Sequence, residues 1–323
     1  MNQVLEVLHQ GALCTVQDGG RLGQRHLGIP PAGALDKAAL QLANRLLDNP
    51  PNTPVLECLA GARFRALVPV QIGLAGFGHA RAWRAQAGEV VEISAALAGV
   101  WSYLALPGGV DAARWLGSSS VCLRAGIGSP LAKGMPIACT SDPLGAWRQG
   151  IVQRSPISPL WATQKPLYDD SLWVKARPPA RSLLDHTRHR PEGWPPTATC
   201  GQATKDLTIR ARPIRVWPGP QYAQFSAQAR QSLCRQAWQV TRQSDRSGYR
   251  LEGKPLPVPD QELFSEPVRI GAIQVPPDGQ PIVCLNDGPT VGGYPKIGII
   301  DPADLRFLVQ TRPGETVRFT IVP

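Results

Sequence analysis

VLECLAG (55–61), ARFRALVPVQIGLAG (62–76), HARAWRA (79–85), EVVEISA (89–95) and GVWSYLAL (99–106) decide the fold class. Each run is short, rich in apolar and β-branched residues, and bounded by Gly, Pro or a polar turn, which is how strands read. Regular short strands of this kind predict a barrel or sandwich. Toward the N-terminus, Val4–Val16 alternates loosely as a strand that enters the turn Gln17-Asp18-Gly19-Gly20. The best helix runs from Leu35 to Leu47 and stops at Asn49-Pro50-Pro51. Leu35, Ala39, Leu42, Ala43 and Leu46 are expected on its apolar face, with Asp36 in the first turn, where the helix dipole favours a carboxylate.

Beyond residue 140 the periodicity fades into Pro- and Arg-rich sequence, and 141–206 reads as an irregular connector. Strands resume near Leu207 and continue to Pro323, with an amphipathic helix between Tyr222 and Val240 and a short one around 302–308. The expectation is a mainly β chain with a few short helices, divided as 1–140, 141–206 and 207–323. Its 323 residues, 43% of them hydrophobic, suit two cores rather than one, and 32 Gly with 33 Pro suit tight turns.

The formal net charge is +10, yet the 34 Lys and Arg are dispersed and no nucleic-acid-binding pattern accompanies them, so no nucleic acid partner is expected. The uncharged stretch 93–110 contains Gly, Ser and Pro and ends in a turn; it reads as two strands joined by a bend, not a membrane span. The start, MNQVLEVLHQG, lacks the basic and apolar regions of a signal peptide. Seven scattered cysteines without a C-x-x-C pair read as free thiols in a reducing compartment, so a cytoplasmic location is expected. Asp185, His186 and His189 lie among arginines, which disfavours a metal, and none is expected. No Gly-x-Ser-x-Gly elbow is present, and Gly248–Lys254 is followed by Pro255, not by the Ser or Thr of a phosphate-binding loop.

Three clusters set polar groups among glycines. In Thr15–Gly23, Gln17, Asp18 and Arg21 offer acceptors and donors beside flexible backbone. In Gly28–Arg45, a helix start could receive an anion, with Asp36 and Asn44, eight residues apart, on roughly one face. In Asp287–Lys296, bare backbone at Gly292-Gly293 stands with Thr290, Tyr294 and Lys296.

These clusters, in this order, resemble the biotin-dependent carboxyltransferase-like family that contains the C subunit of 5-oxoprolinase (allophanate hydrolase subunit 2) and the carboxyltransferase region of urea carboxylase. The resemblance is carried by TVQDGGRLG (15–23), GIPPAGALD (28–36), Leu56-Glu57, RVWPGP (215–220), SDRSGYRLEG (244–253), Ser265-Glu266, GAIQVPPDGQP (271–281) and GGYPK (292–296). It implies two cyclophilin-like β-barrel domains, the B and A subunits of the same hetero-oligomer as partners, and an ATP-dependent amidohydrolase that opens 5-oxo-L-proline to L-glutamate. The alternatives are a carboxyltransferase working with a biotin-bearing partner, or a non-catalytic regulatory binding protein. Catalytic roles are expected for Asp36, Lys296 and Tyr294. Substrate or phosphate binding is expected from Asp18, Arg21, Asn44, Arg246, Arg250, Gln274, Asp287, Thr290, Gly292 and Gly293. The chain departs from the family pattern at Gly288-Pro289, where Arg-Gln is usual, at Ser247, where Met is usual, and at Ala125–Pro130.

Overall fold

A computed structural model describes residues 2–94, 99–144, 212–260 and 263–322. The chain is mainly β. The N-terminal half carries β1 (Asn2–Gln10), β2 (Cys14–Gln17), α1 (Lys37–Arg45), β3 (Val55–Cys58), β4 (Ala62–Ala66), β5 (Val70–Gly76), β6 (His79–Ala85), β7 (Val90–Glu92), β8 (Ser102–Ala105) and β9 (Pro136–Cys139). They form two antiparallel sheets, ordered β7-β4-β1-β9 and β2-β3-β8-β5-β6. Between the sheets lies an apolar cluster that includes Val4, Leu5 and Val7 from one and Leu56, Ile72 and Leu104 from the other.

The C-terminal half carries β10 (Ile214–Pro218), α2 (Ala227–Arg235), β11 (Trp238–Val240), β12 (Gly248–Glu252), β13 (Glu266–Pro267), β14 (Ala272–Gln274), β15 (Ile282–Cys284), β16 (Val291–Gly292), β17 (Lys296–Ile300), α3 (Leu305–Val309), β18 (Thr316–Val317) and β19 (Phe319–Ile321). Eight of these strands pair in the order β18-β11-β12-β15-β14-β17-β10-β19, and β13 pairs with β16 separately. The two edge strands of the eight, β18 and β19, are separated in sequence by Arg318 alone. Adjacent residues lie only about 3.8 Å apart, so one residue can join the edges only if the sheet curls round on itself. The result is a nearly closed barrel.

The helix α1 starts one residue after Asp36, whose carboxylate caps it by accepting from the Ala39 N–H at 3.0 Å. Its buried face is Ala39, Leu40, Ala43 and Asn44, at helical spacing, while Leu42 and Leu46 lie on the flanks, Leu42 half-buried. Counting only apolar positions turned the expected face, because Asn44 is polar yet fully buried. Its side chain donates to the Thr53 carbonyl at 2.9 Å and accepts from Asn49 at 3.1 Å, closing the turn that follows the helix. The helix packs on β5 at Gly73, where a Cβ would lie 2.6 Å from the Ala43 carbonyl oxygen. Gly73 is therefore fixed by this close approach.

No described strand pairs across the two halves, yet their apolar interiors meet. Leu40, Ala43, Val55 and Tyr103 belong to one cluster with Val216, Trp238, Tyr249, Val283 and Ile297. Through this shared core run two buried polar ties. Arg246, just before β12, donates from Nε and Nη2 to Asp287 at 2.9 and 3.0 Å, from Nη2 to the Gly33 carbonyl at 2.8 Å, and from Nη1 to Glu57. Glu57 also accepts from the Tyr103 hydroxyl at 2.8 Å and the Leu35 N–H at 2.9 Å. The second tie is Gln310, which accepts from the Val100 and Trp101 N–H groups at 2.8 and 2.9 Å and donates to Asp36 at 3.0 Å. Asn286 adds a third anchor on the same segment, donating to the carbonyls of Ala32, Gly33 and Ala34.

Among the described residues no helix is long and apolar enough to cross a membrane. Six cysteines are free thiols, five of them buried, and Cys200 lies outside the described residues. Asp185, His186 and His189 also lie outside them.

Burial pushes the Glu57 and Asp287 carboxyls up, and Arg246 opposes it. Removing that cation leaves two buried carboxylates without their partner. Arg246→Ala is expected to destabilise the fold by about 3–5 kcal/mol, measured by urea unfolding. Arg246→Lys should recover only part of the loss, since an ammonium cannot span both carboxylates with a planar fork.

Candidate functional site

The expected site residues fall into two groups. Asp18, Arg21, Asp36, Asn44, Arg246 and Asp287 are all buried and bonded within the fold. Asp18 accepts from the Ser118 and Ser120 hydroxyls at 2.6 and 2.5 Å and from the Ser119 and Gly20 N–H groups at 2.7 and 2.8 Å. It pins the 112–120 loop to the 17–21 turn. Arg21 donates to the Trp115 and Ser120 carbonyls and stacks over the Trp115 ring at 5.3 Å, with its Nη1 left unpartnered. Asp36 and Asn44 do not converge on one polar group, because each is held by its own end of α1. Arg246 engages all three of its nitrogens, so it and Asp287 lie in the join between the halves rather than on an open surface.

The second group gathers on the C-terminal half. Arg250, on the exposed face of β12, and Tyr294, 46% exposed, line an open groove of about 430 Å³ with Thr241, Gln243, Glu252 and Asp278. That is room for a small molecule. Behind Tyr294 stands Lys296, the first residue of β17 and 2% exposed. Its Nζ donates to Glu266 at 2.6 Å and lies 3.4 Å from the Tyr294 carbonyl oxygen. Gln221 donates to the same Glu266 oxygen at 2.7 Å and accepts from the Lys296 backbone N–H at 3.0 Å. A buried ammonium is tolerable only with such partners.

Gln274 lies opposite Lys296 across the β14–β17 pair. Its Oε1 accepts from the Cys284 thiol at 3.1 Å, while its Nε2 is buried without a partner. Burial pushes the Cys284 thiol up to about 11, against the pull of Lys296 and Arg25. At neutral pH it is therefore a hydrogen-bond donor and not a thiolate nucleophile. A Cβ on Gly292 would lie 2.8 Å from Gln274 Nε2, so a larger residue there would have to displace that amide. Thr290 is half-buried and its carbonyl accepts from the Val268 N–H; Gly293 is exposed.

Sequence reasoning left four residues of this neighbourhood without a role: Arg25, Gln221, Glu266 and Cys284. Arg25 comes from the N-terminal half, in a three-residue helical turn, and donates to the Val268 and Pro289 carbonyls. Its signal was slight, one Arg in a loop that holds another. Glu57, also unassigned, had a clearer one, a lone charge inside the apolar run 55–58. Two departures from the family pattern meet in space: the Ser247 carbonyl crowds the spot where a Cβ on Gly288 would stand, and it accepts from the Leu285 N–H at 2.9 Å. No group of metal-ligating residues exists among the described residues.

The bond from Lys296 holds Glu266 below the usual carboxylate range against the opposing effect of burial, with Gln221 adding to the lowering. A depressed carboxyl stabilises the fold above its unfolded pKa of about 4.3, and that stabilisation is lost as pH falls through the lower folded value. A carbon-detected NMR titration should give Glu266 a midpoint below that of ordinary glutamates. Lys296→Met should raise it; an unmoved midpoint would separate the two groups.

A carboxyltransferase domain model, subdomains A and B, matches residues 27–321. The chain is 33% identical to the C subunit of 5-oxoprolinase from Escherichia coli, over 98% of this chain and 90% of that protein. The crystal structure of TTHA0988 superposes with a TM-score of 0.72 at 30% identity, covering 98% of this chain and 56% of that longer one. The Kluyveromyces lactis urea carboxylase shares the fold with a TM-score of 0.74 at 22% identity, over 99% of this chain and 27% of that one. The chain belongs to the carboxyltransferase domain family, subdomains A and B.

Proposed function

We propose that this chain is the C subunit of a cytoplasmic 5-oxoprolinase, an ATP-dependent complex in which it joins the A and B subunits to open 5-oxo-L-proline to L-glutamate. The observation that carries this reading is the Lys296–Glu266–Gln221 cluster beside Gln274, at the edge of a groove that takes a small molecule. The 33% identity to the E. coli protein supports the same substrate.

A lactam is a poor electrophile because its nitrogen donates into the carbonyl. Transfer of a phosphoryl group from ATP to the lactam oxygen makes the ring carbon attackable. Water then adds there, the C–N bond breaks, and phosphate leaves on hydrolysis. Charge builds on the lactam oxygen and the phosphoryl oxygens, and the chain answers with fixed donors. Lys296 supplies a cation whose direction Glu266 and Gln221 set. Arg250 supplies a cation on the groove wall. Tyr294, exposed beside them, is the proton carrier to the departing ring nitrogen. Thr290, Gly292 and Gly293 shape the strand that brings Tyr294 and Lys296 into place. Asp36 is assigned a positioning role, since it is fully buried and holds α1 and Gln310.

A second reading is favoured by the family itself and by the shared fold with a urea carboxylase. There the same donors would hold the ureido oxygen of a biotin carried by a partner, and the accepting nitrogen would belong to a urea-like compound.

Co-expression with the A and B subunits, followed by an assay of ATP-dependent glutamate release, separates the readings. Glutamate should form only when this chain is present. Lys296→Ala should lower turnover by more than roughly tenfold, about 1.4 kcal/mol of transition-state stabilisation. Release of glutamate at the full rate by that variant would remove Lys296 from the chemistry.

A further inference from the structure

The donors around Gln274 exceed what the fold uses. Gln274 is 5% exposed, yet its Nε2 has no partner, and Arg25 Nη1 is buried without one as well. A buried polar group left unpaired is costly, so two in one neighbourhood point to something that binds there. Both donors border Val268. Arg25 Nη2 donates to the Val268 carbonyl, and the missing Cβ of Gly292 would sit 3.2 Å from Val268 Cγ2 and 2.8 Å from Gln274 Nε2. Cys284 ties them further: it packs with Val268 and Ala272, its thiol is bonded to Gln274, and it feels the charges of Arg25 and Lys296. Glu266, the carboxylate bonded into this cluster, is already taken by Lys296 and Gln221.

The Gln274 amide is fixed by the Cys284 thiol on one side and offers its other end. The Arg25 guanidinium is fixed by two carbonyls through Nη2 and offers Nη1. One neutral donor and one cationic donor, both aimed by bonds to the fold, suit the two oxygens of a carboxylate better than a single carbonyl oxygen.

We propose that Arg25 and Gln274 form the subsite for the substrate's carboxylate, so that the N-terminal half of the chain sets specificity for an acid while Lys296 attends to the ring amide. This inference rests on the lactam-opening reading for the identity of the acid, but the subsite itself does not depend on turnover.

The test is a calorimetric titration of the full chain with 5-oxo-L-proline and with 2-pyrrolidinone, the same lactam without its carboxylate, alongside the glutamate-release assay of the complex. The acid should bind more tightly than the carboxylate-free lactam and should shift the Gln274 side-chain amide signal in NMR. Arg25→Gln and Gln274→Leu should each weaken the acid by about tenfold or more and leave 2-pyrrolidinone unchanged, the loss expected for one charge-assisted bond. Arg25→Lys should restore part of the preference. Gln274→Leu roughly keeps the volume and breaks no bond between the halves, so it remains informative if Arg25→Gln unfolds. Equal binding of the two lactams, or an acid preference that survives both substitutions, overturns the subsite even if the complex releases glutamate. A complex that releases none, with a preference that still depends on both residues, leaves the subsite standing and removes 5-oxoproline as the substrate.

Discussion

One guanidinium holds the two halves of this molecule in register. Arg246 sits in a shared apolar core, where a charge is tolerable only if every neighbour answers it. Asp287, from its own half, takes two of its donors; Glu57 and the Gly33 carbonyl, from the other half, take one each. Burial works against the charge of Arg246, and the two carboxylates outweigh it, so the guanidinium is held even more firmly protonated than usual. The same burial leaves Glu57 and Asp287 dependent on Arg246 to stay ionised. Such a triad fixes a geometry rather than adding much net stability. Two apolar faces can slide; three charges with shared hydrogen bonds cannot.

What that geometry fixes is the segment 32–36. Its carbonyls are taken by Arg246 and Asn286, its Leu35 N–H by Glu57, and its Asp36 by Gln310. From that anchored stretch the chain leads back, over few residues, to the turn that carries Arg25 across to Val268 and Pro289. The buried residues of the TVQDGGRLG and GIPPAGALD runs therefore bear on the site by holding the loop between them. Polar residues among glycines drew notice to both runs. The side chain that crosses to the other half is Arg25, a residue between them.

The fold class was legible because alternating short runs with Gly and Pro punctuation leave little else to build. The barrel closure came from the family resemblance and not from any local pattern, since it depends on β18 and β19 reaching opposite edges of one sheet. Of the residues proposed for the site, Lys296, Tyr294 and Gln274 stand out in the sequence as unusual residue types in glycine-containing stretches. Asp18, Arg246 and Asp287 looked the same by that criterion, yet they are knitted inward. A motif of polar residues and glycine says that backbone and side chain are closely fitted. It does not say whether the fit is to a ligand or to the rest of the chain; that turns on which donors remain unpaired once the fold has formed.

The exposure around the second cluster bears on the proposed reaction. Phe264 is 96% exposed, Val291 55% and Tyr294 46%, all beside the β13–β16 pair that carries Glu266 and Gly292. Phosphoryl transfer to a lactam oxygen needs water kept from ATP until the lactam is in place, and electrostatic stabilisation by Lys296 strengthens as water leaves. An open groove does neither alone, and these exposed side chains stand uncovered. Covering those side chains would bury apolar area, exclude water and lower the local dielectric around Lys296 in a single step. On this reading a partner protein completes the site, and the chain supplies a preset array of donors to it.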